Sequence, residues 1–143
     1  MFQGTPIVPG EVDGHVLAAD VPLSFWGGYD AATGKIIDQR HPLADRMAKG
    51  HVLVIPSGRG SCSGSGILLE AIRNGTAPVA IVTSRIDPII ALGAVLGDEL
   101  YSSHPVLILV DEATRKVMRT GDWLSITENG QLTLQRRAKH VSF

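Results

Sequence analysis

Apolar and polar positions divide the chain into three stretches of different periodicity. Residues 5–26 hold short apolar runs around Ile7, Val16 and Leu23 to Trp26, broken by Pro and Gly, which predicts antiparallel strands. WGGYDAATGKIID then reads as a turn between two strands, with Asp30 and Gly34 as its punctuation. The middle differs in kind. Residues 52–55 form a continuous apolar, largely β-branched run, and Pro56 with Gly58 stops it. Ile67, Leu68, Ala71 and Ile72 recur at helical spacing before an Asn74-Gly75 stop, so a helix is predicted over 66–73. A second strand at 79–82, a second helix at 88–96 and a third strand at 106–110 complete a βαβαβ alternation. Such crossovers imply a parallel sheet with helices packed on it. From Lys116 onward the pattern returns to hairpin-like strands, with Asn129-Gly130 as the strongest turn signal. The expected fold class is α/β, with a central parallel sheet and a second, antiparallel β layer built from residues before about Asp38 and after about Arg115.

Composition narrows the classes of function. A chain of 143 residues is read as a single domain, 1–143, large enough to bury a core without disulfides or structural metal. A formal net charge of -1 argues against nucleic acid as a partner, because a basic stripe would be expected there. No segment reads as a membrane span. The opening MFQGTPIVPGEVDG lacks a basic region followed by an apolar one, so the cytoplasm is the expected location. Cys62 is the only cysteine; it can form no internal disulfide and cannot alone hold a zinc ion or an iron-sulfur cluster. His15, His41, His51, His104 and His140 are scattered without metal-ligand spacing and read as structural or surface residues, so no metal site is expected.

Candidate chemistry concentrates between the strand at 52–55 and the following helix. That loop sits where a strand's carboxyl end meets a helix's amino end, a place that favours a carboxylate, a phosphate or a developing oxyanion. Ser61 could be a base or nucleophile whose alkoxide is stabilised by helix-start N-H groups. Equally, Ser61, Ser63 or Ser65 could simply cap the helix. Cys62 could be an activated thiol or a packed one. Arg59 could clamp a carboxylate through its planar fork or remain a solvated loop charge. The loop lacks the Gly-Lys-Ser/Thr ending of a P-loop and the Gly-x-Gly-x-x-Gly dinucleotide fingerprint. Asp87-Pro88 is expected to start the second helix, with Asp87 as N-cap, and substrate contact from that loop stays open.

LSFWGGYDAATGKIID followed by HPL, then PSGRGSCSGSGILLEAI, NGTAPVAIV and DPIIALGAVLGDELY resemble the small, swivelling domain of the aconitase X dehydratases, over residues 5–127. The resemblance implies a β/β/α three-layer domain that closes over a large subunit or domain, and an iron-sulfur cluster held by that large partner. It places the family's Gly-Arg/Lys-Gly-Ser loop on Gly58, Arg59, Gly60 and Ser61, with Ser61 as the proton-abstracting base. Arg59, Gly60, Cys62 and Ser63 are then the implied substrate-binding residues. In aconitase-type dehydration a proton leaves carbon while the neighbouring hydroxyl departs, aided by iron as Lewis acid. Two substrates compete. The Ser-Cys-Ser-Gly-Ser continuation looks closer to members acting on cis-3-hydroxy-L-proline; phosphomevalonate dehydratases typically resemble Gly-Lys-Gly-Ser-Thr there. A non-catalytic module that binds a small carboxylate, or a regulatory lid, is the remaining alternative.

Overall fold

The computed structural model describes residues 1–60 and 63–136. In chain order its elements are β1 (Phe2–Gln3), β2 (Thr5–Val8), β3 (Val12–Ala18), α1 (Phe25–Gly28), β4 (Tyr29–Asp30), β5 (Lys35–Ile36), β6 (Val52–Val54), α2 (Gly64–Asn74), β7 (Ala80–Thr83), α3 (Pro88–Tyr101), β8 (Val106–Leu109), α4 (Glu112–Val117), β9 (Trp123–Ile126) and β10 (Gln131–Gln135). The expected βαβαβ run forms the centre: β3, β6, β7 and β8 lie side by side, all parallel. β6 and β7 are buried along their whole length, as strands covered on both faces must be, which is why they read as unbroken apolar runs.

Side-chain alternation on these strands generates the layers. Leu17, Leu53, Ile81 and Leu107 belong to one buried cluster with Leu68, Ala71 and Ile72 of α2 and Ile90 and Ala94 of α3. Their neighbours Val16, Val52, Val54, Ala80, Val82, Val106 and Ile108 belong to a second cluster with Leu124, Ile126 and Leu132 of β9 and β10. Helices therefore cover one face of the parallel sheet and an antiparallel layer covers the other. β3 serves both β layers: residues 16–18 pair with β6, and residues 12–15 pair antiparallel with β9. Gly14 lies at that transfer, where a Cβ would stand 3.3 Å from the Gly50 carbonyl and 3.4 Å from Val79 Cγ2. Hydrogen bonding is continuous across eight strands in the order β1-β10-β9-β3-β6-β7-β8-β2, and β4 and β5 form a separate two-stranded sheet.

Local signals explain most boundaries. Gly75 ends α2 in the left-handed conformation, and Asp87 caps α3 by accepting from the amides of Ile89 and Ile90 at 2.9 and 3.2 Å, with Pro88 in the first turn. Asp30 accepts from the Gly34 amide through its carbonyl at 2.7 Å, and Gly34 has φ 83°, which closes the β4–β5 hairpin. Gly130 has φ 89° in the β9–β10 turn. Three expectations need correction. The runs around Ile7 and Val16 do find antiparallel partners, β8 for β2 and β9 for residues 12–15 of β3, but β2 joins one edge of the parallel sheet and not the second layer. The run at 23–26 is no strand; Leu23 makes one parallel bridge to Gly58 and the chain then turns through Gly27 at φ 79°. Lys116 belongs to α4, a short helix capped by Asp111, whose carboxylate accepts from the Thr114 amide at 2.8 Å.

α2 and α3 meet through small residues. A Cβ on Gly97 would stand 2.6 Å from Ile72 Cδ1 and 2.9 Å from the Ser103 carbonyl, whereas one on Gly66 would meet nothing within 4 Å. Gly97→Ala is expected to destabilise the protein by about 1–3 kcal/mol, the usual cost of overpacking. Gly66→Ala is expected to be neutral or to stabilise by up to about 1 kcal/mol through helix propensity. Thermal denaturation of both variants checks the pair, and a raised melting temperature for Gly97→Ala would contradict the close helix contact.

Candidate functional site

Because β3, β6, β7 and β8 run parallel, the segments leaving their carboxyl ends gather along one edge of the sheet. Residues 19–28 leave β3, residues 55–60 leave β6, residues 84–87 leave β7 and Val110 with Asp111 leaves β8. The loop from β6 is tied to the segment from β3. The Leu23 amide donates to the Ser57 carbonyl and the Arg59 amide donates to the Leu23 carbonyl, each at 3.2 Å. It is also held from the β7 side, where the amides of Ser84 and Arg85 both donate to the Pro56 carbonyl, at 3.2 and 3.1 Å.

Glycine is required at two loop positions for different reasons. Gly60 has φ 95°, and a Cβ there would stand 2.9 Å from Ser24 Oγ. Gly58 has ordinary backbone, but its Cβ would stand 2.6 Å from Asp87 Oδ2 and 3.1 Å from Ile90 Cδ1. The backbone thus lies directly against the α3 cap. Of the residues expected at the site, Arg59 and Gly60 are exposed, and Ser63 is exposed immediately ahead of α2. Ser61 and Cys62 lie outside the described residues. The Arg59 guanidinium has no ion-pair partner among the described residues.

Electrostatics separates the two helix starts at this edge. The amino end of α3 already carries the Asp87 carboxylate. α2 has no acidic residue in its first turn, so its partial positive charge is not matched by a carboxylate of its own. An incoming anion is therefore favoured at α2. The surrounding lip is apolar and exposed: Trp26 is 57% exposed and Ile86 68%, whereas the adjacent Phe25 is buried in the core at 2%. Phe25 and Trp26, neighbours in sequence, have opposite fates.

Second-line residues hold this edge. His41 is buried; its Nδ1 accepts from the Leu43 amide at 3.1 Å, so Nε2 carries the proton donated to the Val21 carbonyl at 3.0 Å. It braces the 19–24 segment, in agreement with a structural role. The Tyr29 hydroxyl donates to the Thr76 carbonyl at 2.7 Å, and burial pushes its pKa well above the ordinary phenol range. Ser24, which donates to the Trp26 carbonyl at 2.9 Å, lies against the loop and carried no signal in the sequence beyond the LSFWGG run. No group of three or more His, Cys, Asp or Glu residues with metal-binding geometry occurs among the described residues. With a single cysteine in the chain, its residues do not fit an iron-sulfur cluster. No helix is long and apolar enough among the described residues to cross a membrane.

Comparison with known proteins adds to this geometry. A family model described as the aconitase X swivel domain matches residues 1–134. The chain is 45% identical over 109 residues to a cis-3-hydroxy-L-proline dehydratase of Hypocrea jecorina, covering 76% of the chain but only 18% of that relative. It is 40% identical over 129 residues to a phosphomevalonate dehydratase small subunit of Methanopyrus kandleri, covering 89% of the chain and 92% of the relative. Among solved structures it superimposes on Thermococcus kodakaraensis aconitase X in its holo-form with a TM-score of 0.83 and 28% identity, covering 94% of this chain and 97% of that one. The chain thus spans about a fifth of the length of the first relative and nearly all of the second.

Proposed function

Because the chain belongs to the aconitase X swivel domain family, we propose that it is the small component of a hydro-lyase that dehydrates a small hydroxy acid and works only with a large companion subunit. The substrate we favour is cis-3-hydroxy-L-proline, converted to pyrroline-2-carboxylate. The observation that carries this reading is the Gly58–Arg59–Gly60 segment, half-buried at Gly58 and exposed at Arg59 and Gly60, held at the carboxyl edge of the parallel sheet ahead of a helix start with no carboxylate of its own. In this reading Ser61 is the base, and Arg59, Gly60, Cys62 and Ser63 contact the substrate.

The chemistry asks for a strong base from a weak one. The proton on C2 of the substrate lies alpha to a carboxylate, and the 3-hydroxyl is one carbon away. Removing that proton as the hydroxyl departs gives an enamine, which tautomerises to the imine product. A serine abstracts such a proton only if its alkoxide is stabilised, which the α2 amino end and the Arg59 guanidinium would do in a closed, dry site. Arg59 has a second candidate task, clamping the substrate carboxylate bidentately. The iron-sulfur cluster that the family implies would be held by the companion and would supply Lewis acidity at the leaving hydroxyl.

5-Phosphomevalonate is the second reading, favoured by the match along nearly the full length of the Methanopyrus kandleri small subunit. A third, a non-catalytic module for a small carboxylate, loses ground to the family membership. Reconstituting the chain with its large companion and assaying both substrates decides among them. Turnover of the hydroxyproline alone is the expected result, with no activity from the isolated chain. Turnover of the phosphorylated substrate alone would transfer the assignment, and an active isolated chain would refute the two-component reading.

A further inference from the structure

We propose that Arg115 is a positioning residue: through Glu112 and Ser84 it holds the 19–23 and 56–60 segments in register with each other, and so sets the geometry of the loop that carries Ser61. The inference rests on the dehydratase reading for its catalytic consequence, and on contacts along the sheet edge for its structural content.

Arg115 is 4% exposed, on the last turn of the six-residue helix α4. Its Nη1 donates to the Ala19 carbonyl at 3.1 Å and to Asp20 Oδ1 at 3.0 Å. Its Nε donates to Glu112 Oε1. The same Glu112 oxygen accepts from Ser84 Oγ at 3.2 Å. Ser84, in turn, donates its amide to Pro56, as does Arg85. One path of polar contacts therefore joins the exits of all four parallel strands. Its two ends are Ala19, which opens the segment leading to Leu23, and Pro56, which opens the candidate loop. Those limbs then meet through the amides of Leu23 and Arg59.

A purely structural account leaves the charge unexplained. Burying a guanidinium carries a desolvation penalty, and an apolar side chain of similar volume often packs as well or better. What the planar fork can do, and an apolar group cannot, is fix a carbonyl and two carboxylates at set angles. The Arg115 hydrogen bond, with a contribution from Ser84, also lowers the pKa of the Glu112 carboxyl from its ordinary value.

The test uses Ser84→Ala, a mild change at a partly buried position, beside Arg115→Gln. In the reconstituted complex Ser84→Ala is expected to lower kcat about tenfold, with KM within about twofold, Arg115→Gln to lower it further, and Ser84→Thr to restore it; small displacements of a catalytic group commonly cost this much or more. In the full chain, amide hydrogen exchange of Leu23 and Arg59 should accelerate about tenfold in both damaged variants, while Leu124 and Leu132 keep wild-type exchange. Unchanged exchange at Leu23 and Arg59 overturns the proposal, as does equal acceleration at all four amides, which marks general destabilisation. A normal kcat in Ser84→Ala overturns it too. The exchange measurement needs no substrate, so a wild-type complex inert on both hydroxy acids would refute the dehydratase reading while leaving the loop-positioning role to be decided by exchange.

Discussion

Replacing Ser61 by Ala in the reconstituted complex is expected to lower kcat by about two orders of magnitude or more, the usual scale for loss of a positioned proton-transfer group. Fold, partner binding and cluster content should stay unchanged. A serine that only caps α2 gives a different result: a stability loss of about 1 kcal/mol and nearly normal turnover once the complex is assembled. Cys62→Ala is the matched control and should be mild. A large loss at Cys62 with a small one at Ser61 would move the catalytic role to the thiol. Arg59→Lys completes the series, because lysine keeps the charge and loses the fork. A raised KM with kcat retained assigns the guanidinium to the ground-state carboxylate; a fall in kcat alone assigns it to the alkoxide.

The second large effect is expected at Gly58, which would contact no substrate through a side chain. Adding one methyl there brings Cβ to 2.6 Å from Asp87 Oδ2 and 3.1 Å from Ile90 Cδ1, so the loop or the α3 cap must shift. Gly58→Ala should lower kcat by about a hundredfold, since displacements near 1 Å at a catalytic group cost that much. Stability should fall by only about 1–3 kcal/mol. The double variant Gly58→Ala/Asp87→Ser separates the causes. Serine preserves an N-cap oxygen but removes the second carboxylate oxygen, so turnover should recover about tenfold if the steric clash is responsible. Steady-state kinetics on the three proteins measures this. Full activity in Gly58→Ala alone would contradict the close approach of loop and helix.

The parts of the fold that were legible in the sequence are those whose determinants are local. Continuous apolar runs marked β6, β7 and β8 to within a residue or two, and Asp87-Pro88 and Asn74-Gly75 marked helix ends because capping is decided by neighbouring residues. Partner choice is not local. Nothing in TPIV says that β2 must reach β8, since that pairing is set by where the crossovers leave an open edge. LSFW misled because a buried Leu23 and Phe25 give the same alternation whether the chain is extended or turning, and here it turns. α4 escaped because six residues carry too little periodicity to register. At the site, the loop itself was visible from its Gly and Ser content. Ser24 and the Arg115 network were not, because their importance comes from contacts across 28 to 96 residues of sequence.

The sharing of β3 between the parallel sheet and the antiparallel layer has a consequence for how the molecule moves. A strand that supplies the first half of its hydrogen bonds to one layer and the second half to the other leaves neither layer able to peel away without breaking the ladder of its neighbour. Loosening should therefore cost close to the full unfolding free energy on either side. Such a body stores little internal give. If the chain works with a large companion as proposed, its closing over that companion is expected as a rotation of the whole unit and not as a bend within this chain.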